Sequence, residues 1–207
     1  MADQTLIYVV DDDEAVRDSL EALLLAEGFS VQGFESAEAL LVKGRPPAVA
    51  CCLLDVRMPG KDGLTLLGEL GDWSTTTPVV VMTGHGDVPM AVKAMKLGAV
   101  DFIEKPFDAN VMLTTIRSAL RHHDTEVRNE AIDPALAGKV DRLTPRERDV
   151  MEHLVAGRSN KEVGRELGIS PRTVEIHRSR LMEKMAADSL AELVRMALDA
   201  KIEPAAK

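Results

Sequence analysis

Leu53-Leu54-Asp55-Val56-Arg57-Met58-Pro59-Gly60 is the stretch whose reading decides the fold. An apolar run that begins at Val49 ends on a carboxylate, and Met58-Pro59-Gly60 then turns the chain. A continuous apolar run of this length fits a strand buried on both faces, as in a parallel sheet. The same design recurs on either side of it. Thr5-Leu6-Ile7-Tyr8-Val9-Val10 runs into Asp11-Asp12-Asp13, residues 78–82 run into Thr83-Gly84, and residues 100–104 run into Lys105-Pro106. Residues 29–34 form a further strand candidate. Between these runs the apolar residues fall at helical spacing, as in Val16, Leu20, Leu23 and Leu24, and Ser36, Asp62 and Asp87 stand where helices would start. Strands alternating with helices predict a parallel sheet covered on both faces, over residues 1–124. A last helix is predicted from Asp108 to about Asn129.

In such open sheets the working crevice lies at the carboxyl ends of the strands. The residues there are Asp11 and Asp12, Asp55, Thr83 and Lys105. Clustered carboxylates repel one another and need a cation, and hard oxygen donors of limited number suit Mg²⁺. A metal would let an anionic phosphoryl group approach an anionic nucleophile, and an aspartate can be that nucleophile. Lys105 and Thr83 would then bond the new phosphate oxygens. The expected chemistry is phosphoryl transfer to Asp55.

The four strand ends, Val10-Asp11-Asp12-Asp13, Leu54 to Gly60, Met82-Thr83-Gly84 and Lys105-Pro106-Phe107, resemble the receiver domain of two-component response regulators. The resemblance implies a flavodoxin-like five-stranded sheet of order 2-1-3-4-5 and a sensor histidine kinase as phosphoryl donor. It implies Mg²⁺ held by Asp12 and Asp55, with Asp11 nearby and the backbone carbonyl of Arg57 as a further ligand. It implies a switch of Thr83 and Phe102, where many receivers have tyrosine; without a hydroxyl the ring would act by burial alone. Receivers often have a cis peptide at the position of Lys105-Pro106. Residues 83–94 and 98–107 resemble the FixJ subfamily, in which the fourth helix and fifth strand form a phosphorylation-dependent dimer face; Val88, Val92 and Met95 lie on one side of that helix. Gly84 and Gly86 would free the loop after Thr83, and His85 is expected to be a loop residue without catalytic duty.

The net charge of −9 sits in the first part of the chain. Residues 1–124 hold 10 basic and 19 acidic side chains, whereas 125–207 hold 15 of each. Within the second part, residues 158–184 carry seven basic side chains against four acidic ones. This asymmetry points to two domains with different partners. Residues 121–142 lose the apolar rhythm, and 125–140 are expected to be a linker. His122-His123 there is expected to be solvated. Beyond it, 141–207 should be all-helical, with four helices. Thr144-Pro145-Arg146-Glu147 starts the first, Asn160 the second, Pro171 the third after the Gly168-Ile169-Ser170 turn, and a fourth covers about 188–200. Two helices joined by a short Gly turn beside a basic stretch suit a helix-turn-helix.

In the third of these helices Leu181 and Met185 fall within about 20° of Val174 at 100° per residue and should be buried. Arg172, Glu175, Ile176, Ser179 and Glu183 fall on the opposite side. Ile176 suits a thymine methyl group, Glu175 a cytosine amino group, and Ser179 a base or the backbone. Lys161, Arg172, Thr173 and Arg178 are assigned to phosphates, and His177 to packing. Residues 140–203 resemble the LuxR/NarL-type DNA-binding domain, whose last helix contributes to dimerisation; here that would be Leu190, Leu193, Val194 and Ala197.

Together these features lead to the expectation of a transcription regulator, an activator working with RNA polymerase, controlled by phosphorylation and dimerising on promoter DNA. Two other classes fit the sequence less well. A Mg²⁺-dependent phosphohydrolase using Asp55 would need a substrate-cap insertion or a nucleotide motif, and neither is present. A phosphate sink would leave the helix-turn-helix to bind a protein. The chain is expected to be cytoplasmic and not an enzyme in its own right. Its two cysteines, Cys51 and Cys52, are adjacent within a strand and behave as small hydrophobes.

Overall fold

The computed structural model describes residues 5–46, 50–73, 77–84, 88–126 and 134–205. It divides into two compact units, Met1–Gly86 with Lys96–Arg128 and Asp87–Met95 with Asn129–Lys207.

The first unit is built on five parallel strands: β1 (Leu6–Val10), β2 (Ser30–Phe34), β3 (Ala50–Asp55), β4 (Val79–Thr83) and β5 (Asp101–Glu104), in the order β2-β1-β3-β4-β5. The helices that alternate with them are α1 (Glu14–Ala26), α2 (Ala37–Lys43), α3 (Gly63–Leu70), α4 (Val88–Lys96) and α5 (Ala109–Glu126). A single 3-10 turn, Gly71–Trp73, follows α3 and was not expected. The flavodoxin-like order is the one anticipated, and strand limits differ from the sequence reading by about one residue. Asp87, named as the start of the fourth helix, and Val49, named as the start of the third strand, lie outside the described residues, as do His85, Gly86 and residues 127–133.

All six side chains of β3 and all five of β4 are buried, which is why they read as unbroken apolar runs. On one face Ile7, Val9, Cys51, Leu53, Val80 and Met82 pack with Leu20 and Leu24 of α1 and Met112, Ile116 and Ala119 of α5. On the other, Tyr8 meets Phe34 edge-on with ring centroids 5.0 Å apart. Burial pushes the thiol of Cys52 up to about 12, so both strand cysteines behave as packed hydrophobes.

The second unit contains, besides most of α4, the helices α6 (Pro134–Val140), α7 (Pro145–Val155), α8 (Asn160–Leu167), α9 (Pro171–Met185) and α10 (Leu190–Asp199). Helix α6 corrects the expected linker of 125–140. Its sequence carries Pro, Gly and Lys, but Leu136 and Val140 are buried, and α6 packs on α9. Two apolar anchors four residues apart were too short a pattern to stand out against a polar background. The other four helices begin where their caps dictate. Thr144 and Glu147 form a reciprocal capping box, as do Ser159 and Glu162, while Ser170 and Ser189 cap α9 and α10.

Candidate functional site: a strand-end acidic centre and a recognition helix

Register places the acidic centre. Val10 pairs with Leu54 and Thr83 with Glu104, so Asp11, Asp55 and Lys105 leave the sheet at one level. Backbone bonds fasten the strand ends: Asp11 N–H to Phe34 O (3.1 Å), Val56 N–H to Met82 O (3.0 Å) and Lys105 N–H to Thr83 O (2.7 Å). The Lys105-Pro106 peptide is cis. Lys105 Nζ donates to Asp11 Oδ2 and to Asp55 Oδ1, each at 2.5 Å. Asp11 is 1% and Asp55 5% exposed. Two buried carboxylates therefore share one ammonium, leaving a net negative site.

Burial raises the pKa of Asp55, and the Lys105 hydrogen bond pulls it back only in part. For Lys105 burial acts to lower the pKa, but the bonds to Asp11 and Asp55 prevail and raise it, so the ammonium stays charged. Around this centre Asp13 N–H donates to Asp11 Oδ1 (3.0 Å), Asp13 caps α1 through Ala15 N–H (2.9 Å), and Arg17 donates to the Asp11 carbonyl (2.7 Å). The Arg57 N–H donates to the Asp55 carboxylate.

One expectation is corrected here. Three carboxylates were expected to converge, but the structure gathers two; Asp12 is exposed, and among the described residues no three His, Cys, Asp or Glu side chains are grouped to hold a metal. Successive side chains at a strand end point to opposite sides, and Lys105 draws Asp11 inward while Asp12 turns to solvent. The donor set still suits Mg²⁺: two hard carboxylates already bridge one cation, the ammonium, and Mg²⁺ completes its shell with water. Thr83 is buried at the end of β4, and Phe102 is half-buried in β5.

Gly63, first residue of α3, carries a role that residue type alone did not reveal. A Cβ there would stand 2.0 Å from the Asp55 carbonyl oxygen. The absence of a side chain lets α3 start directly against the Asp55 backbone, with Gly63 N–H donating to Val56 O at 2.9 Å.

On α4 the proposed dimer residues Val92 and Met95 are 2% and 6% exposed. Nothing is described for the Val88 side chain. The exposed positions of α4 are Lys93 and Lys96. Leu193, Val194 and Ala197 of α10 are likewise core, because α10 packs on α7 and α9; Leu190 is half-buried.

In the helical unit α8, the Gly168 turn and α9 form a helix-turn-helix. Gly168 takes the left-handed conformation (φ 66°) that ends α8. Gly164 lets the turn close, since a Cβ there would lie 2.7 Å from the Ile169 carbonyl oxygen. Val174, Leu181 and Met185 are fully buried, and Arg172, Glu175, Ile176, Ser179 and Glu183 are exposed, as the helical spacing predicted. Ile176 is 47% exposed on this polar face. Lys161 is also exposed. Thr173 is partly occupied locally, its hydroxyl 2.8 Å from that of Ser170. Arg178, expected at a phosphate, is half-buried, and its guanidinium donates to Asn160 Oδ1 (3.0 Å), bracing α9 against the start of α8. It lies on the inner flank of α9, about 40° from Val174. Arg180 is exposed instead. Glu147 of α7 is buried and bonds Lys184 of α9 at 2.7 Å, a second brace on the same helix.

The acidic strand-end centre matches the profile of the response regulator receiver domain over residues 7–117, and the helical unit matches that of the bacterial regulatory proteins of the luxR family over 141–197. The transcriptional regulatory protein FixJ of Bradyrhizobium diazoefficiens is 50% identical over 194 residues, covering 94% of this chain and 95% of the relative. The chain belongs to the FixJ-type response regulators. The response regulator protein TodT of Pseudomonas putida is 40% identical, with 93% of this chain and 85% of that protein covered. The crystal structure of full-length FixJ from B. japonicum matches with a TM-score of 0.53 at 49% identity, over 95% of this chain and 97% of that one. As a FixJ-type member this chain is a transcription regulator controlled by phosphorylation, with a DNA-binding output domain. Among the described residues no helix is long and apolar enough to cross a membrane.

Proposed function

We propose that Asp55 is the phosphoacceptor and that a sensor histidine kinase is the donor. The observation that carries this is the sharing of Lys105 by two buried carboxylates at the strand ends. In the transfer the N–P bond of a phosphohistidine breaks and an O–P bond to the Asp55 carboxylate forms. Asp11, Asp55 and the Arg57 carbonyl would hold Mg²⁺, with exposed Asp12 on the solvent side, and the ion when bound supplies charge neutralisation at the phosphoryl group. Lys105, charged throughout, follows the negative charge from the carboxylate to the phosphate oxygens, and the Thr83 hydroxyl donates to another. An apolar cavity of about 730 Å³ opens beside Lys105, lined by Val16, Leu23, Pro106 and Phe107 among others. Its continuity with the acidic centre supports it as the seat of the donor protein.

The output follows from α9. Glu175, Ile176 and Ser179 face base edges, Lys161, Arg172 and Thr173 meet phosphates, and Arg178 positions the helix. Phosphorylation shifts Thr83 and Phe102, favours a homodimer through the fourth helix and fifth strand, and sets two copies of α9 on half-sites about one DNA turn apart. The dimer would require Val92 and Met95 to leave their buried positions, or would use the exposed lysine edge of α4. The regulator acts as an activator that engages RNA polymerase.

The test is intact-mass analysis after incubation with acetyl phosphate and Mg²⁺. One phosphoryl group should be gained, lost with Asp55→Asn and with chelator. Gain at the same level in the Asp55→Asn protein would refute the assignment.

A further inference from the structure

His177 is the one side chain among the described residues with a buried polar atom that has no hydrogen-bond partner, its Nδ1. The ring as a whole is half-buried. Its other nitrogen, Nε2, is not among the buried atoms without a partner. The two nitrogens therefore lie in different surroundings, and that difference selects a tautomer. An imidazolium would bury a charged N–H with nothing to accept it. A proton on Nδ1 alone would bury an unpaired donor and leave the accessible nitrogen bare. The arrangement that wastes least keeps Nδ1 bare and places the proton on Nε2, pointing outward.

The position on α9 says what the outward N–H meets. Val174 at i−3 and Leu181 at i+4 are fully buried and hold one edge of the ring in the core. Thr173 at i−4 and Arg180 at i+3 are partly or fully exposed on the other edge. His177 lies about 100° around the helix from Ile176, at the rim of the exposed face rather than its centre. When a helix enters the major groove its central residues approach the bases, and its rim approaches the strand backbone.

We propose that His177 is a DNA-backbone contact of neutral type, its Nε2–H donating to a phosphate oxygen while its Nδ1 edge packs against the core. The packing role expected from the sequence is thus half of the residue's work. The proposal rests on α9 being the DNA-contacting helix.

A contact to the backbone is independent of base sequence, so a short labelled duplex of mixed sequence serves as the probe. Binding of the full-length protein would be followed by anisotropy across a series of KCl concentrations. His177→Gln keeps an amide N–H near the place of Nε2 and should bind within about twofold of the native protein. His177→Phe, a ring without nitrogen, should bind roughly tenfold more weakly. Its salt slope should equal the native one, because no cation is lost. Arg172→Ala, measured beside it, should lose affinity and about one unit of slope. Native-like binding by the Phe protein, equal weakness of the Gln and Phe proteins, or a slope reduced in the Phe protein would each overturn the proposal. If Lys161→Ala and Arg172→Ala leave binding unchanged, the failure lies instead in the assignment of α9. Imidazole ¹⁵N NMR of the native protein gives a check that needs no variant. Nε2 should carry the proton and shift when duplex is added, and a protonated Nδ1 would overturn the proposal.

Discussion

Replacing Glu147 by Gln should remove most of the acid-sensitive stability of the helical unit. Glu147 is 3% exposed, completes the cap of α7 through the Thr144 N–H at 2.8 Å, and bonds Lys184 of α9 at 2.7 Å. Burial alone would raise its pKa, but the Lys184 bond and the two Thr144 bonds overcome this and hold it at about 2 instead of 4.5. At 1.36 kcal/mol for each unit, this depression corresponds to about 3 kcal/mol of stability. Because the folded value lies below the unfolded one, the contribution is complete above pH 4.5 and disappears as pH falls toward about 2. Glu147→Gln should therefore destabilise the unit by about 2–3 kcal/mol at pH 7 and by little near pH 2. Urea unfolding followed by far-UV circular dichroism measures this from pH 7 downward. The single tryptophan, Trp73, belongs to the first unit, so its fluorescence separates that unit's unfolding from loss of the α7–α9 helices. Native and variant stability curves that run parallel from pH 7 to pH 3 would refute the reasoning.

Gly63→Ala would press a methyl group into the Asp55 carbonyl at 2.0 Å, so α3 must move. A loss of about 3 kcal/mol in the first unit and slower phosphorylation by acetyl phosphate are expected, read by tryptophan-monitored unfolding and by mass analysis. Lys105→Met leaves Asp11 and Asp55 buried with no shared cation and should cost about 3–5 kcal/mol at neutral pH. That loss should shrink in acid as Asp55, whose pKa burial raises, takes up a proton, and millimolar Mg²⁺ should restore part of it; a variant as stable as the native protein at pH 7 would contradict the role given to Lys105. Gly164→Ala brings its Cβ to 2.7 Å from the Ile169 carbonyl and should open the turn, with a loss of about 1–3 kcal/mol and weaker duplex binding in the anisotropy assay.

The sequence by itself determined the element order, the strand ends and the buried side of α9. These depend on short-range patterns: apolar runs, caps, turns and a 3.6-residue period, each complete within a few residues. That is why the sequence already reads Val174, Leu181 and Met185 as core and Ile176 as exposed, as they are in the fold. It also placed Asp11, Asp55 and Lys105 together, because parallel strands deliver their ends to one edge. Only the tertiary structure decided which carboxylates meet the lysine, since Asp11 and Asp12 are neighbours whose directions depend on what lies across the sheet. Only it set the Arg178 guanidinium against Asn160 on another helix and buried Val92, Met95 and Leu193. Helix α6 and the glycines at 63 and 164 follow the same rule. Their meaning lies in backbone and side chains brought close by folding, a distance of ångströms that no local pattern encodes.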